Sequence, residues 1–399
     1  MSLYHEAAAI RETIIANRRH LHRIPELSLD LPQTAAYVEE KLKEMGYEPK
    51  RIGDCGIVAT IGSGNGKCFL IRADMDALPV VEDADIDFKS TNGNMHACGH
   101  DCHTAMLLGA AQLLKAHESE IEGTVKLMFQ PAEETMEGAK MMVSGGVLEN
   151  PHVDAAMGAH VFTSMPMPVG SVALMGAKMR MAGSDWFTIY ITGKGCHGAM
   201  PNTGVDPLNV MSHIHIALQA INARELDPMD NLVLTVGQMH GGQTSNVIPN
   251  EAFMSGTIRT LKNETRATVK ARMEAIVSSI ATAFNAEAKV EWGAGCPVLI
   301  QNEALYKEVN GYLKGLEGIM FLDLDEIGYA GASSGMGSED FSYVSNEVPA
   351  VFLGIPAGTP QEGYIYPQHH PKARFHEDAL PGGAAAYAHI AMEWLKNNK

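Results

Sequence analysis

Two rhythms of apolar and polar residues alternate along the chain. From the start to about Met45, charged and apolar residues interleave at helical spacing, and the prolines of "RIPELSLDLP" interrupt them, so the pattern predicts two helices with a break. Short apolar runs follow: "CFLIRA" (68–73), "TVKLMFQ" (124–130), "DAAMGA" (154–159) and "AVFLGI" (350–355). Runs of this length fit strands buried on both faces, and helical stretches such as "TAMLLGAAQLLKAH" lie between several of them. That alternation predicts an α/β sheet. Ligands of open α/β sheets bind beyond the carboxyl ends of the strands. Polar residues follow each run here: "DMDALP", "PAEE", His160 and, further on, "QHHP".

Between about residues 181 and 295 the order changes. Strand "DWFTIYITG", helix "PLNVMSHIHIALQAINA", strands "NLVLTVGQMHGG" and "EAFMSGTIRT", helix "ATVKARMEAIVSSIATAF" and strand "EAKVEW" succeed one another. That is the order of a ferredoxin-like αβ sandwich. The chain therefore reads as two domains, residues 1–180 with 296–399 and an inserted 181–295. Gly- and Met-rich stretches around "SMPMPVG" and "MGAKMRMAG" suit a flexible connection into the insert.

Composition narrows the class. A chain of 399 residues exceeds what one core usually supports, about 250–300 residues. With 46% hydrophobic and 19% charged residues it falls among globular proteins rather than disordered ones. A net charge of −17 repels nucleic acid and anionic membranes, so neither is an expected partner. The first thirty residues hold no signal-type apolar stretch and no run is long enough to span a bilayer, which leads to the expectation of a soluble, cytoplasmic protein. Cysteines at 55, 68, 98, 102, 196 and 296 are too scattered for a disulfide framework, so free thiols are expected.

One stretch concentrates chemistry. "HACGHDCH" (96–103) packs three histidines, two cysteines and an aspartate into eight positions. Thiolate, imidazole and carboxylate are ligands of zinc and its first-row neighbours, and sets that leave a coordination position open are typical of catalytic sites. Cys98 and His100 precede a helix expected to begin near Thr104, so a loop can turn both side chains toward one point. The segment also fits a capping cluster, with Asp101 accepting the first free N–H groups of that helix. In "FQPAEE" two adjacent carboxylates, Glu133 and Glu134, repel unless a cation lies nearby or each has its own task. One ligand and one general base satisfy that requirement, and so does a solvated turn. His160 is either a core histidine or a further ligand, and "HHP" (369–371) is either a surface turn or another.

The ordered motifs "RADMDALP", "HACGHDCHTAMLLGAA", "FQPAEE", "GAHV", "GCHGAMPNTGVDP", "TSNVIPNEA", "GTIRT", "GSEDFS" and "HHPKARFHEDALP" resemble those of the aminoacylase, hippurate hydrolase and auxin-conjugate hydrolase branch of the dinuclear metallopeptidases. The likeness covers nearly the whole chain. It implies a catalytic domain with a mostly parallel sheet and an inserted lid and dimerisation domain. It also implies two divalent ions, Zn or Mn before Co or Ni, on Cys98, His100, Glu134, His160 and one C-terminal histidine. His369 matches that position and His370 falls on the variable one. By the same likeness Glu133 is the general base, and Asp76 is the carboxylate that orients a metal-binding imidazole. His197 matches a histidine that reaches the opposite subunit's active site, which implies a homodimer, and Asn246 and Arg259 match substrate-binding positions. Cys196 stands where the family often has glycine, Leu31 where glutamate is frequent and Ile24 where histidine is.

The leading expectation is a metal-dependent amidohydrolase that splits N-acyl-amino acids into a carboxylic acid and a free amino acid. Alternatives are a dipeptidase or carboxypeptidase on the same site, a non-catalytic metal or ligand binder, and a thiol enzyme with Cys98 as nucleophile.

Overall fold

The computed structural model describes residues 2–328 and 334–399. Its chain divides into two compact units, Met1–Met179 with Ile300–Ser333 and Asp340–Lys399, and Arg180–Leu299 with Ser334–Glu339.

The first unit opens with helices α1 (Leu3–Ala9) and α2 (Arg11–His22), parted by Ile10 alone, and α3 (Pro32–Glu44) after the proline-bearing break. An eight-stranded sheet follows in the order β1 (Lys50–Ile52), β2 (Gly56–Gly62), β4 (Thr124–Gln130), β3 (Cys68–Asp74), β5 (Ala155–Phe162), β17 (Ala350–Pro356), β6 (Ser171–Leu174) and β15 (Met320–Asp323). Its centre is parallel: β3 pairs in parallel with β4 and β5, and β5 with β17. Every position of β3, β4 and β17 is buried, which is why those strands read as unbroken apolar runs. Helix α4 (His100–Ala116) packs with α2 and with α10 (Leu380–Asn397), while α5 (Gly138–Ser144) packs on α9 (Ser342–Ser345). Helix α8 (Glu303–Gly315) lies against α10. The apolar core gathers residues such as Phe69, Ile71, Leu107, Leu127, Met157, Leu353 and Tyr387. Strands β3, β4, β5 and β17 all lead their chain ends toward the polar segments singled out above.

The second unit is a four-stranded antiparallel sheet in the order β10 (Leu232–Gly241), β12 (Glu251–Thr260), β8 (Gly183–Thr192) and β13 (Glu287–Cys296). Helices α6 (Pro207–Ala220) and α7 (Asn263–Ala283) complete a ferredoxin-like order. The side chain of Asp206 caps α6 by accepting from the Leu208 and Asn209 amides. Phe187, Ile189 and Ile191 of β8 pack with Ile214, Leu218, Met273 and Val277 of the helices. Trp186 and Tyr190 alternate with them and are exposed, as a sheet covered on one face requires. Two small sheets complete the strands. β9 (Cys196–His197) pairs with β11 (Val247–Ile248), and β7 (Arg180–Met181) lies between β14 (Leu299–Ile300) and β16 (Ser334–Gly335).

Candidate metal centre

Helix α4 begins at His100, four residues before the expected start, and its N-cap is Gly99 in the left-handed region at φ 89°. A Cβ on Gly99 would stand 2.5 Å from Val161 Cγ2, so only glycine lets the Cys98–His100 turn lie so close to β5. The early start also corrects the expected role of Asp101. It makes no capping bond. Instead its Oδ2 accepts from Arg18 Nε at 2.7 Å and from His22 Nδ1 at 2.8 Å, in a wholly buried cluster. Burial pushes the Asp101 carboxyl up, but Arg18 and His22 outweigh that and hold it well below the usual carboxylate range.

The remaining candidates of this unit converge. Cys98 Sγ lies 3.3 Å from His160 Nε2 and 3.3 Å from His369 Nε2. His369 Nε2 is 3.5 Å from Glu134 Oε1, and His100 Nε2 is 3.9 Å from the same oxygen and 4.0 Å from Glu133 Oε2. Main-chain ties hold the C-terminal loop in place: His369 N–H donates to Ala97 O at 2.9 Å, and Gln368 Nε2 donates to Val161 O at 3.1 Å. His370 turns elsewhere, stacking on Tyr366 and accepting from the Lys372 amide.

Asp76 organises the glutamate pair. Its two carboxylate oxygens accept the Glu133 and Glu134 amides at 3.0 and 3.1 Å, which fixes the "PAEE" turn. The imidazole of His100 donates to the Asp76 carbonyl at 2.9 Å, with the carboxylate farther off at 3.4 Å. In this structure the main chain of Asp76 is thus the nearer partner of that ring.

A carbonyl only accepts, so His100 Nδ1 keeps its proton for Asp76 O, and His160 Nδ1 keeps its proton for Val161 O at 2.6 Å. With Nδ1 protonated, Nε2 is the nitrogen whose lone pair each ring can offer a cation when it is neutral, and it faces Cys98 or the glutamates. His100 Nε2 and Glu134 Oε1 are buried with no hydrogen-bond partner. Each such vacancy costs about 1–3 kcal/mol, which a bound cation relieves. Burial pushes the Cys98 thiol well up, raises the Glu134 carboxyl and pushes His160 well down. Burial also works against the His100 imidazolium, yet Asp74, Asp76 and Cys98 outweigh it and raise that ring well above its ordinary range. Cys98, His100 and His160 form one triad of mutually close donors, and Cys98, Glu134 and His369 form another. A soft sulfur shared between two such sets, with imidazole and carboxylate, fits a pair of divalent first-row ions.

The second unit holds its candidates differently. His197 and Val247 are opposed in the short β9–β11 pairing, which brings His197 beside Asn246, and both side chains are exposed. His197 Nδ1 accepts the Ala199 amide at 3.0 Å, leaving the Nε2 side as the donor of the neutral ring. Arg259 is half-buried, and its Nη1 donates to Met336 O at 2.7 Å and Ser338 Oγ at 3.1 Å.

Sequence reasoning missed the buried charges behind the site. Arg72 donates to Asp74 at 2.7 Å, to Asp340 at 3.0 Å and to Gln130 at 2.8 Å, and Asp340 in turn accepts the Ala139 amide at 2.8 Å. His103 Nδ1 meets Asp74 Oδ1 at 2.5 Å. The signal was present in "CFLIRAD", where opposite charges two residues apart share one face of a buried strand.

Known proteins match this chain along most of its length. The family model described as peptidase family M20/M25/M40 matches residues 70–393. An IAA-amino acid hydrolase (ILR1-like 4) of Arabidopsis thaliana is 36% identical over 96% of this chain and 86% of its own length. An N-acetyl-L-cysteine deacetylase of Bacillus subtilis is 37% identical over 98% of this chain and 90% of its own. Among solved structures, a dinuclear metal-binding peptidase of the M20 family from Bacillus subtilis superposes with a TM-score of 0.78 at 30% identity, covering 98% of this chain and 99% of that one. Motifs, a donor set suited to two metal ions and whole-length relatives agree: the chain belongs to the M20/M25/M40 peptidase family, as a metal-dependent amidohydrolase of the aminoacylase and auxin-conjugate branch.

Proposed function

We propose that this amidohydrolase cleaves N-acyl-amino acids at the acyl amide bond, with Cys98, His100, Glu134, His160 and His369 as ligands of two ions and Glu133 as general base. The observation that carries the reading is the cluster of donors itself: buried His100 Nε2 and Glu134 Oε1 lack hydrogen-bond partners beside a cysteine that two other imidazoles approach at 3.3 Å. The relatives named for deacetylation and for hydrolysis of amino acid conjugates favour the same substrate class. Zinc or manganese suits the donors best, with cobalt or nickel next.

When bound, the ions supply an activated water and a polarised carbonyl. The chain supplies the rest. Glu133, its amide fixed by Asp76, takes the proton from the attacking water and delivers it to the departing amine, which returns the carboxylate to its starting state. Glu134, held by the other oxygen of Asp76, stays a ligand, so the two adjacent carboxylates divide the work. His197 offers its Nε2–H to the developing oxyanion. Asn246 and Arg259 bind the amino acid half, the guanidinium being suited to the free α-carboxylate.

The enzyme works as a homodimer in which His197 of one copy serves the site of the other; its exposure favours that role. Cytoplasmic residence fits six free cysteines, which a reducing compartment maintains. Among the described residues no helix is long and apolar enough to cross a membrane.

The test is amino acid release from N-acetyl, N-benzoyl and indole-acetyl amino acids and from dipeptides, by stripped enzyme, enzyme reloaded with each metal, and Glu133→Gln. Acyl amides are expected to turn over only with metal, and Glu133→Gln to lower kcat by about 10²–10⁴-fold. Dipeptides as the better substrates would shift the reading to a dipeptidase, and full activity in stripped enzyme that alkylation abolishes would shift it to a thiol enzyme.

A further inference from the structure

The proposed ligands leave two histidines of "HACGHDCH", His96 and His103, without a task. His103, in the first turn of α4, is wholly buried, and both its ring nitrogens are engaged. The Val161 amide donates to His103 Nε2 at 2.8 Å. An amide cannot accept, so Nε2 carries the lone pair, and Nδ1 keeps the proton that it donates to Asp74 Oδ1. Arg72 holds the other Asp74 oxygen at 2.7 Å and is itself held by Asp340 at 3.0 Å. Asp74, His100 and His103 would otherwise read as a third ion site, but His103 has no lone pair left to offer.

The place of this ring follows from the sheet. Strands β3 and β5 pair through Phe69–Ile71 and Ala155–Met157, short of Val161. Beyond that point the imidazole of His103 stands in for the neighbouring strand as acceptor of the Val161 amide. The carbonyl of the same residue receives His160 Nδ1–H at 2.6 Å, and His160 Nε2 then faces Cys98 Sγ at 3.3 Å.

We propose that His103 is a positioning residue: through Val161 it fixes the placement and tautomer of the His160 ring, while Arg72 and Asp74 fix His103. The inference rests on His160 being a metal ligand, as proposed above. Partners that orient metal-binding imidazoles are worth about 10–100-fold in affinity or activity, and here the orientation passes through the main chain of the strand.

Cobalt(II) binding to the full chain tests it, by chelator competition and by the visible absorption spectrum, alongside kcat and KM. His103→Leu is expected to weaken one of two cobalt ions by about 10–100-fold, to alter the spectrum and to lower kcat with little change in KM. His103→Gln, whose carbonyl can still accept the Val161 amide, is expected to restore most of the affinity and the spectrum. Wild-type affinity and spectrum in His103→Leu, with an ion lost in His160→Ala, would overturn this inference alone. Two ions bound normally by His160→Ala would overturn the ligand assignment and the inference with it. Should His103→Leu fail to fold, His103→Gln decides: a wild-type spectrum supports the role, and weakened cobalt binding with an unchanged melting temperature of the metal-free protein overturns it.

Discussion

In the first unit Asp76, Cys98, His100 and Glu133 are buried, Glu134 and His160 are half-buried and His369 is exposed, and these residues lie close together, whereas in the second His197 and Asn246 are exposed and, among the described residues, Arg259 is held from the 336–338 segment of its own unit. Buried ligand atoms cannot turn to water, so those left without a hydrogen-bond partner, His100 Nε2 and Glu134 Oε1, already describe the ions they suit. Exposed donors are satisfied by water until a substrate or a second copy arrives, and their geometry describes little by itself. The buried set also needs support of its own: Arg72, Asp74, His103 and Asp340 hold the strands that carry it.

The contrast breaks most visibly at Arg72. Arg72→Met leaves Asp74 and Asp340 buried without their cation and is expected to lower stability by about 3–5 kcal/mol in urea unfolding of the full chain. A loss below about 1 kcal/mol would mean that these charges are solvated and the first unit is no different from the second. At His197 the opposite pattern is expected. His197→Ala should lower kcat by about 10²–10³-fold with the melting temperature unchanged, and a lowered melting temperature with normal turnover would make it a structural residue.

Acid sharpens the same comparison. The Asp101 carboxyl is depressed in the folded state, so its contribution is present above the unfolded value near 3.9 and is lost as pH falls below about 4 toward the folded value. Asp101→Asn, less stable at neutral pH, should lose stability less steeply below pH about 4 than the parent. Equal slopes would remove Asp101 from the account. The smallest effect is expected at Arg11, whose pairs with Glu12 and Asp378 lie at the surface: Arg11→Ala should cost no more than about 1 kcal/mol.

The sequence carried the parallel centre of the sheet clearly, because β3, β4, β5 and β17 are buried on both faces and read as apolar runs. It carried the order of the second unit equally well, since turns and periodicities alternate cleanly there. Strand β1, at one edge of the sheet, and its neighbour β2 were lost because "RIGDCGIVATIG" mixes glycine and charge with a short apolar run. The start of α4 was misplaced because Cys98–His103 looks like a loop until the left-handed Gly99 is seen. Asp101 has the right chemistry for a cap, and only the approach of Arg18 and His22, about eighty positions earlier, gives it another partner. Glu133, Glu134, Cys98 and His100 were legible as candidates from local pattern. That His369 rather than His370 joins them is a fact of the backbone, fixed by its bond to Ala97.

The central claim is that adjacent glutamates have separate tasks around a pair of ions, and metal content measured together with turnover in Glu133→Gln and Glu134→Gln tests it most directly. The account predicts two ions and almost no turnover in Glu133→Gln, and a lost or weakened ion in Glu134→Gln. An ion lost from Glu133→Gln, or two tightly held ions in Glu134→Gln, would contradict it.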